Sequence, residues 1–336
     1  MIILTVAFPL LPVGPDSGGG AEQILYLLER GLVRRGCRSI VIAAKGSQVS
    51  GQLIETPVTN GQITKKVRAA ARHEHLLSIE RALSRYPIDL IHFHGLDFYE
   101  YLPVTTVRQL ATLHLPPAWY PQSVFDLDNV QLNCVSESQA NAVRSKKKLP
   151  LVLNGIDTEL YRTSAREPKH LMWLGRICPE KGVHIGLEIA RVLDIPMVVA
   201  GPVHPFHDHQ TYFTERVQPL LDARRRYVGP VGPTQKKDLL AEAKCVVIPS
   251  LVAETSSLVA MEAISCGTPV VAFRSGALPE IVEHGVTGFI VDSQEEMQDA
   301  VTRVGYISPE ACRQRAEVRF DASRMVEDYL KLYGSL

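Results

Sequence analysis

No charge of either sign predominates in this chain: 36 Lys and Arg face 36 Asp and Glu. No basic domain or stripe of the kind that tracks a nucleic-acid backbone stands out, so a nucleic-acid partner is disfavoured. The six cysteines (Cys37, Cys134, Cys178, Cys245, Cys266 and Cys312) form no C-x-x-C pair. That argues against a zinc framework, and settings such as KCVVIP around Cys245 read as reduced core thiols of a cytoplasmic protein. No apolar run reaches the ~20 residues needed to span a bilayer. The opening MIILTVAFPLLPV has neither a basic flank nor a small-residue cleavage site and reads as a first buried strand. Also missing is G-x-G-x-x-G. The second strand ends Ala43-Ala44-Lys45 where a nicotinamide-dinucleotide site wants an acidic ribose partner, which disfavours a dehydrogenase.

What is present is strand–helix alternation, run twice. With 336 residues the chain fits two domains of about 150 residues each. Ile2–Phe8, Ser39–Ala43, Leu90–Phe93, Leu110–Leu113 and Gln131–Val135 read as strands buried on both faces. An amphipathic helix, Ala21–Arg35, lies between the first two. The pattern restarts with strands at His170–Leu174, Pro196–Ala200, Tyr227–Gly229, Cys245–Ile248, Pro269–Phe273 and Phe289–Val291. Helices are expected there at Lys181–Leu193, Lys236–Ala243, Ser257–Cys266 and Leu278–Glu283. Buried strands alternating with helices imply doubly wound parallel sheets of the Rossmann type. The polar junction Asn154–Pro168 is the expected linker, and Ala322–Leu332 a closing helix. Ligands bind such sheets at the carboxyl ends of their strands, so the site is expected between the two domains.

Three clusters fall at those ends. Gly18, Gly19 and Gly20 precede the first helix, where backbone N–H groups can approach a phosphate; a flexible turn is the competing account. In WLGRICPEKG, Arg176 and Lys181 flank a strand-to-helix turn and suit a diphosphate whose charge grows as it leaves. Two surface cations at a helix start would work against the helix dipole. In AETSSLVAMEAISCGTPVVAF, seven residues separate Glu254 from Glu262. Glu262 has apolar neighbours on both sides, an awkward place for a solvated carboxylate unless ribose hydroxyls meet it. Ser256, Ser257 and Leu258 begin that helix, with N–H groups able to face an anion.

Taken in order, GGGAE, LNGID, LGRICPEKG, the paired glutamates and CGTPVVAF…GALPEIV…GVTGFIV resemble the family 4 retaining glycosyltransferases of GT-B fold. The resemblance covers nearly the whole chain. It implies an N-terminal Rossmann-like domain, 1–155, on the acceptor side, a C-terminal one, 156–320, holding the nucleotide-sugar donor, and a helix, 321–336, packing back across both. It implies that Gly19 and Gly20 touch the donor diphosphate, which Arg176 and Lys181 bind. Glu254 would contact the donor sugar, Glu262 the ribose, and His114, in LATLHLPP, the transferred sugar. Asn154 and Gly155 match the inter-domain turn. The chain departs from the family at Glu254-Thr255-Ser256-Ser257, where E-P-F-G is usual, and at GGGAE, where relatives carry GGTE.

The implied reaction moves a hexose, with retention and no metal or other cofactor, from a donor such as UDP-glucose to a saccharide or lipid-linked acceptor. Cell-surface polysaccharide or glycoconjugate synthesis is the expected setting. A catalytically silent sugar-nucleotide binder, or a GT-B epimerase or phosphorylase, is the alternative. Against the metal-free reading stand His204, His207, Asp208 and His209, and a D-x-D at Asp126 and Asp128; an acceptor-facing or solvated loop and chance are the better accounts. His92 and His94, at a strand end, read as acceptor-side histidines, with a satisfied core histidine an equal reading for His92. The basic stretches Lys65–Arg72 and Arg144–Lys148 are candidates for contact with anionic lipid on the cytoplasmic face of a membrane or with a diphosphate-linked acceptor, with solvated helix faces the default reading.

Overall fold

A computed structural model describes residues 1–15, 17–57, 63–144, 148–162 and 167–336. Among these the chain divides into two compact units, Met1–Gly155 with Ala322–Leu336, and Ile156–Asp321.

The first unit holds six parallel strands, β1 (Ile2–Val6), β2 (Arg38–Ala44), β3 (Gln52–Thr56), β4 (Leu90–Phe93), β5 (Arg108–Thr112) and β6 (Gln131–Asn133), in the order β3-β2-β1-β4-β5-β6. The second repeats the plan with β7 (His170–Leu174), β8 (Met197–Ala200), β9 (Arg225–Tyr227), β10 (Ala243–Ile248), β11 (Val270–Phe273) and β12 (Gly288–Val291), ordered β12-β11-β10-β7-β8-β9. Both orders are the doubly wound one, with a switch point between β1 and β4 in one sheet and between β7 and β10 in the other. The inner strands are buried on both faces, as their unbroken Val, Ile and Leu runs require. The fold class is therefore α/β, two Rossmann-like sheets in tandem.

Several described elements escaped the sequence reading, among them the short helices Glu137–Ala142 and His207–Tyr212, the second lying where a loop was expected. Edge strand β3 is half exposed, and its QLIET carries no continuous apolar run. The helices Gln294–Arg303 and Pro309–Phe320 are rich in charge, and each buries only three side chains. The expected strand Tyr227–Gly229 sits two residues earlier because Gly229, at φ 76°, turns off the sheet. The expected linker also contributes to the core: Tyr161 is buried within the second unit. Thr163–Arg166 of that linker lie outside the described residues.

The closing helix, Ala322–Ser335, belongs to the first unit. Tyr329 and Tyr333 are fully buried there, hydrogen-bonded to Thr112 and His92. Arg324 donates to the carbonyls of Leu153 and Asn154 at 2.9 and 2.8 Å, fixing the turn at which the chain leaves the first unit.

Three buried histidines, His75, His92 and His94, make this unit sensitive to acid. Burial holds His75 neutral down to about 4; burial and the neighbouring His114 hold His92 neutral down to about 3. An unfolded histidine takes its proton near pH 6.5, so below that pH protons favour the unfolded chain. Urea unfolding followed at pH 7 and pH 5 should show the first unit losing on the order of 1–2 kcal/mol per histidine. Equal stability at the two pH values would contradict the burial of these rings as neutral groups.

Candidate functional site

The loops after β7 and β10 meet at the switch point of the second sheet. The first contains Gly175–Gly182 and closes with a 3₁₀ turn, Pro179–Lys181, leading into the helix Val183–Val192. Gly182 is left-handed, at φ 64°, and a Cβ there would stand 2.1 Å from the carbonyl oxygen of Pro249. Only glycine lets the two loops approach so closely. The Leu251 N–H donates to the Glu180 carbonyl at 2.8 Å and ties them together.

This junction brings Lys181 to Glu254, with Nζ 2.6 Å from Oε1. Arg176 lies on the same loop, 3.8 Å from Glu180 and partly open to solvent. The third loop, after β11, braces Glu254 from behind. Ala277 N–H donates to the Glu254 carbonyl at 2.7 Å, and a Cβ on Gly276 would stand 2.2 Å from that same oxygen. The GALP stretch thus sets the backbone on which Glu254 stands.

Glu262 sits in the helix Leu258–Ser265, 3% exposed. Its Oε1 accepts from Lys236 Nζ at 2.6 Å and from Tyr161 Oη at 2.8 Å. Its Oε2 is buried and has no partner among the described residues. Lys236 also lies over the Tyr161 ring, 5.2 Å from its centroid. Beside the charge of Glu262, burial raises the Tyr161 hydroxyl well above the usual phenol range, so it stays a donor. Ser257 caps the helix by accepting from Ala260 N–H. The N–H groups of Leu258 and Val259 remain at its positive end. Ser256 lies just before, its Oγ buried without a partner among the described residues.

In the first unit, Gly19 is the N-cap of the helix Gly20–Arg34 and offers no side-chain cap, so the glycine loop leads directly into a helix N-terminus. Glu22, one turn in, is buried and its carboxyl is raised by desolvation. His114 is half-buried at the end of β5, its backbone N–H donating to Tyr120 Oη at 3.1 Å. Desolvation lowers its imidazole to about 4.

The histidine loop does not act as a set. Among the described residues, one group of three ligand types brings its atoms within 4.8 Å of one another: Cys178, Glu180 and His209. Burial and the adjacent Glu180 push the Cys178 thiol up to about 12. His207 and Asp208 are exposed, and Asp126 and Asp128 join no such group. Lys65–Arg72 lies on a helix, Lys65–Arg85, where Arg72 pairs with Asp97 at 2.7 Å. Of Arg144–Lys148, residues 145–147 lie outside the described residues. No described helix is long and apolar enough to cross a membrane.

Two family profiles match the chain. One, described as Glycosyltransferase Family 4, covers residues 18–160; the other, Glycosyl transferases group 1, covers residues 168–305. The chain belongs to this glycosyltransferase family. Among its relatives, a D-inositol 3-phosphate glycosyltransferase of Corynebacterium efficiens is 33% identical over 149 residues, 41% of this chain and 35% of the relative. A lipopolysaccharide 1,2-N-acetylglucosaminetransferase of Salmonella typhimurium is 24% identical over 244 residues, 64% of this chain and 62% of the relative. The matches thus span from about a third to three fifths of these relatives' length. Among solved structures, HepE of Anabaena, crystallised with UDP-glucose, superposes with a TM-score of 0.76 over the whole of both chains at 19% identity. The fold shared is GT-B.

Sequence reading singled out Glu262 but missed the partners that hold it. Lys236 lies 26 residues upstream and Tyr161 101 residues upstream, inside the supposed linker. The one available signal was that a glutamate among apolar neighbours demands a cation, and sequence does not say which. Removing that cation leaves a buried, uncompensated carboxylate. Lys236→Met should therefore destabilise the second unit by about 3 kcal/mol or more, and adding Glu262→Gln should recover most of it. Chemical unfolding of Lys236→Met, Glu262→Gln and the double variant checks this. Equal losses in the single and the double variant would show that the pair carries no such coupling.

Proposed function

We propose that the protein transfers a hexose from a UDP-linked donor, UDP-glucose by preference, to a saccharide or lipid-linked acceptor with retention at the anomeric carbon. The observation that carries this reading is the buried Glu262 carboxylate, with one oxygen held by Lys236 and Tyr161 and the other without a protein partner. A ribose offers the pair of hydroxyls such an oxygen can accept from. The UDP-glucose bound by the HepE structure and the N-acetylglucosamine transfer named for the Salmonella relative support the same class of donor and acceptor.

In this reading the second unit holds the donor and the first the acceptor. Charge grows on the diphosphate as the glycosidic bond breaks. Arg176, Lys181 and the N–H groups at the start of the helix Leu258–Ser265 stabilise it, with Ser256 and Ser257 alongside. Gly19 and Gly20 bring further N–H groups from the first unit. Glu254 orients Lys181 through their ion pair and takes up sugar hydroxyls with its remaining acceptor capacity. His114 lies beside the transferred sugar. The leaving phosphate accepts the acceptor's proton on the face it vacates, which accounts for retention without a separate strong base. The fixed cations supply the charge a metal would bring, so the reaction needs none.

The test is UDP release from UDP-glucose in excess chelator, with and without a saccharide acceptor. Release should depend on acceptor and survive chelation. Arg176→Ala should lower kcat on the order of 10²–10³-fold, with Arg176→Lys recovering only part. Release without acceptor would indicate hydrolysis, no release a silent binder or an epimerase, and chelator-sensitive release a metal-dependent site.

A further inference from the structure

Cys178 and Glu180 stand two residues apart on the turn after β7, with Pro179 between them. Cys178 is fully buried and is the N-cap of the 3₁₀ turn Pro179–Lys181. This turn is braced from both neighbouring strands of the sheet. Ile177 N–H donates to the Pro202 carbonyl just after β8 at 2.9 Å, and Leu251 N–H, just after β10, to the Glu180 carbonyl at 2.8 Å. The short helix His207–Tyr212, which follows β8, packs against the turn and carries His209. His209 thus parts from the other members of the histidine loop. One atom each of the Cys178 thiol, the Glu180 carboxylate and the His209 ring lie within 4.8 Å of one another.

The contacts these groups make with protein leave them available. The Cys178 thiol donates to the Arg176 carbonyl at a long 3.5 Å and faces the Glu180 carboxylate. Glu180 meets Arg176 no closer than 3.8 Å. His209 Nδ1 is buried and has no hydrogen-bond partner among the described residues. A buried polar atom left without a partner costs free energy unless a ligand supplies one.

The chemistry of the set decides among cations. Sulfur, nitrogen and one carboxylate oxygen are the donors zinc takes, whereas magnesium asks for an octahedron of oxygens and does not bind thiolate. Around a tetrahedral zinc the three ligand atoms would stand about 3.3–3.6 Å apart. Rotation of the partly exposed Glu180 and His209 side chains closes the remaining gap, while Cys178 stays fixed on its braced turn. Three protein ligands leave the fourth position to water.

We propose that Cys178, Glu180 and His209 form a binding site for a zinc-type divalent cation. Binding forms the sulfur–metal bond as the S–H bond breaks, and the thiol proton passes to solvent. The site goes beyond the transfer proposed above and does not rest on it, since none of the three residues is assigned to the donor.

The whole chain, freed of metal with a chelator and then titrated with Zn²⁺ in a calorimeter, should bind one zinc tightly, and a large excess of Mg²⁺ should not compete. Co²⁺ in place of zinc should give a tetrahedral spectrum with thiolate-to-cobalt charge transfer. Cys178→Ala should abolish that charge-transfer band. His209→Gln should weaken zinc by more than the roughly 10–100-fold that loss of an outer partner alone causes. His207→Gln, one helical residue from Asp208 and exposed, should bind zinc as the wild type does. No tight zinc binding, a cobalt spectrum without the thiolate band, or a band that survives in Cys178→Ala would overturn the proposal. So would equal losses in His207→Gln and His209→Gln, which would return the metal to the histidine loop. If Cys178→Ala does not fold, the wild-type cobalt spectrum and His209→Gln decide.

Discussion

Burial of one carboxylate organises the second unit. Taking Glu262 out of water costs several kcal/mol, and the cost is met by contacts from two distant segments. Lys236 comes from the helix after β9, and Tyr161 from the stretch that enters the unit. Their convergence fixes the helix Leu258–Ser265, and with it the N–H groups at its start. Because both partners meet the same oxygen, the carboxylate is held in orientation while its other oxygen stays without a protein donor. A purely structural ion pair would be expected to satisfy both oxygens. An arrangement satisfied on one side only is the form a preorganised ligand contact takes.

The same economy of polar groups appears in the first unit, where a helix from the far end of the chain supplies two tyrosine hydroxyls to His92 and Thr112 at the strand ends. In both units the polar groups lie at or beyond the carboxyl edge of a doubly wound sheet, beneath which the interior is apolar. The sheet supplies rigidity, and the loops and buried polar contacts at its edge supply chemistry.

Much of this was legible in the sequence because the signals are local. Val, Ile and Leu runs show strands buried on both faces whatever they pair with, and glycine at a strand-to-helix turn shows a close backbone approach. The order of the motifs sufficed to indicate the family. Edge strand β3 and the charged helices Gln294–Arg303 and Pro309–Phe320 were not legible, since little of their surface is buried and so little apolar pattern is required of them. Nor were Lys236 and Tyr161 as partners of Glu262, because pairings 26 and 101 residues apart leave no mark on sequence spacing. The Lys181–Glu254 ion pair was hidden for the same reason: each residue was legible alone, and their contact depends on the close approach that Gly182 permits.

The central claim is that Glu262 Oε2 is kept for ribose hydroxyls. Calorimetric titration of UDP and of 2′,3′-dideoxy-UDP into the wild-type protein and into Glu262→Gln tests it most directly. A hydrogen bond to a charged group contributes about 1.5–3 kcal/mol, so the wild-type protein should favour UDP by on the order of 10–100-fold. In Glu262→Gln most of that preference should disappear. An equal preference in both proteins, or none in the wild type, would contradict the account.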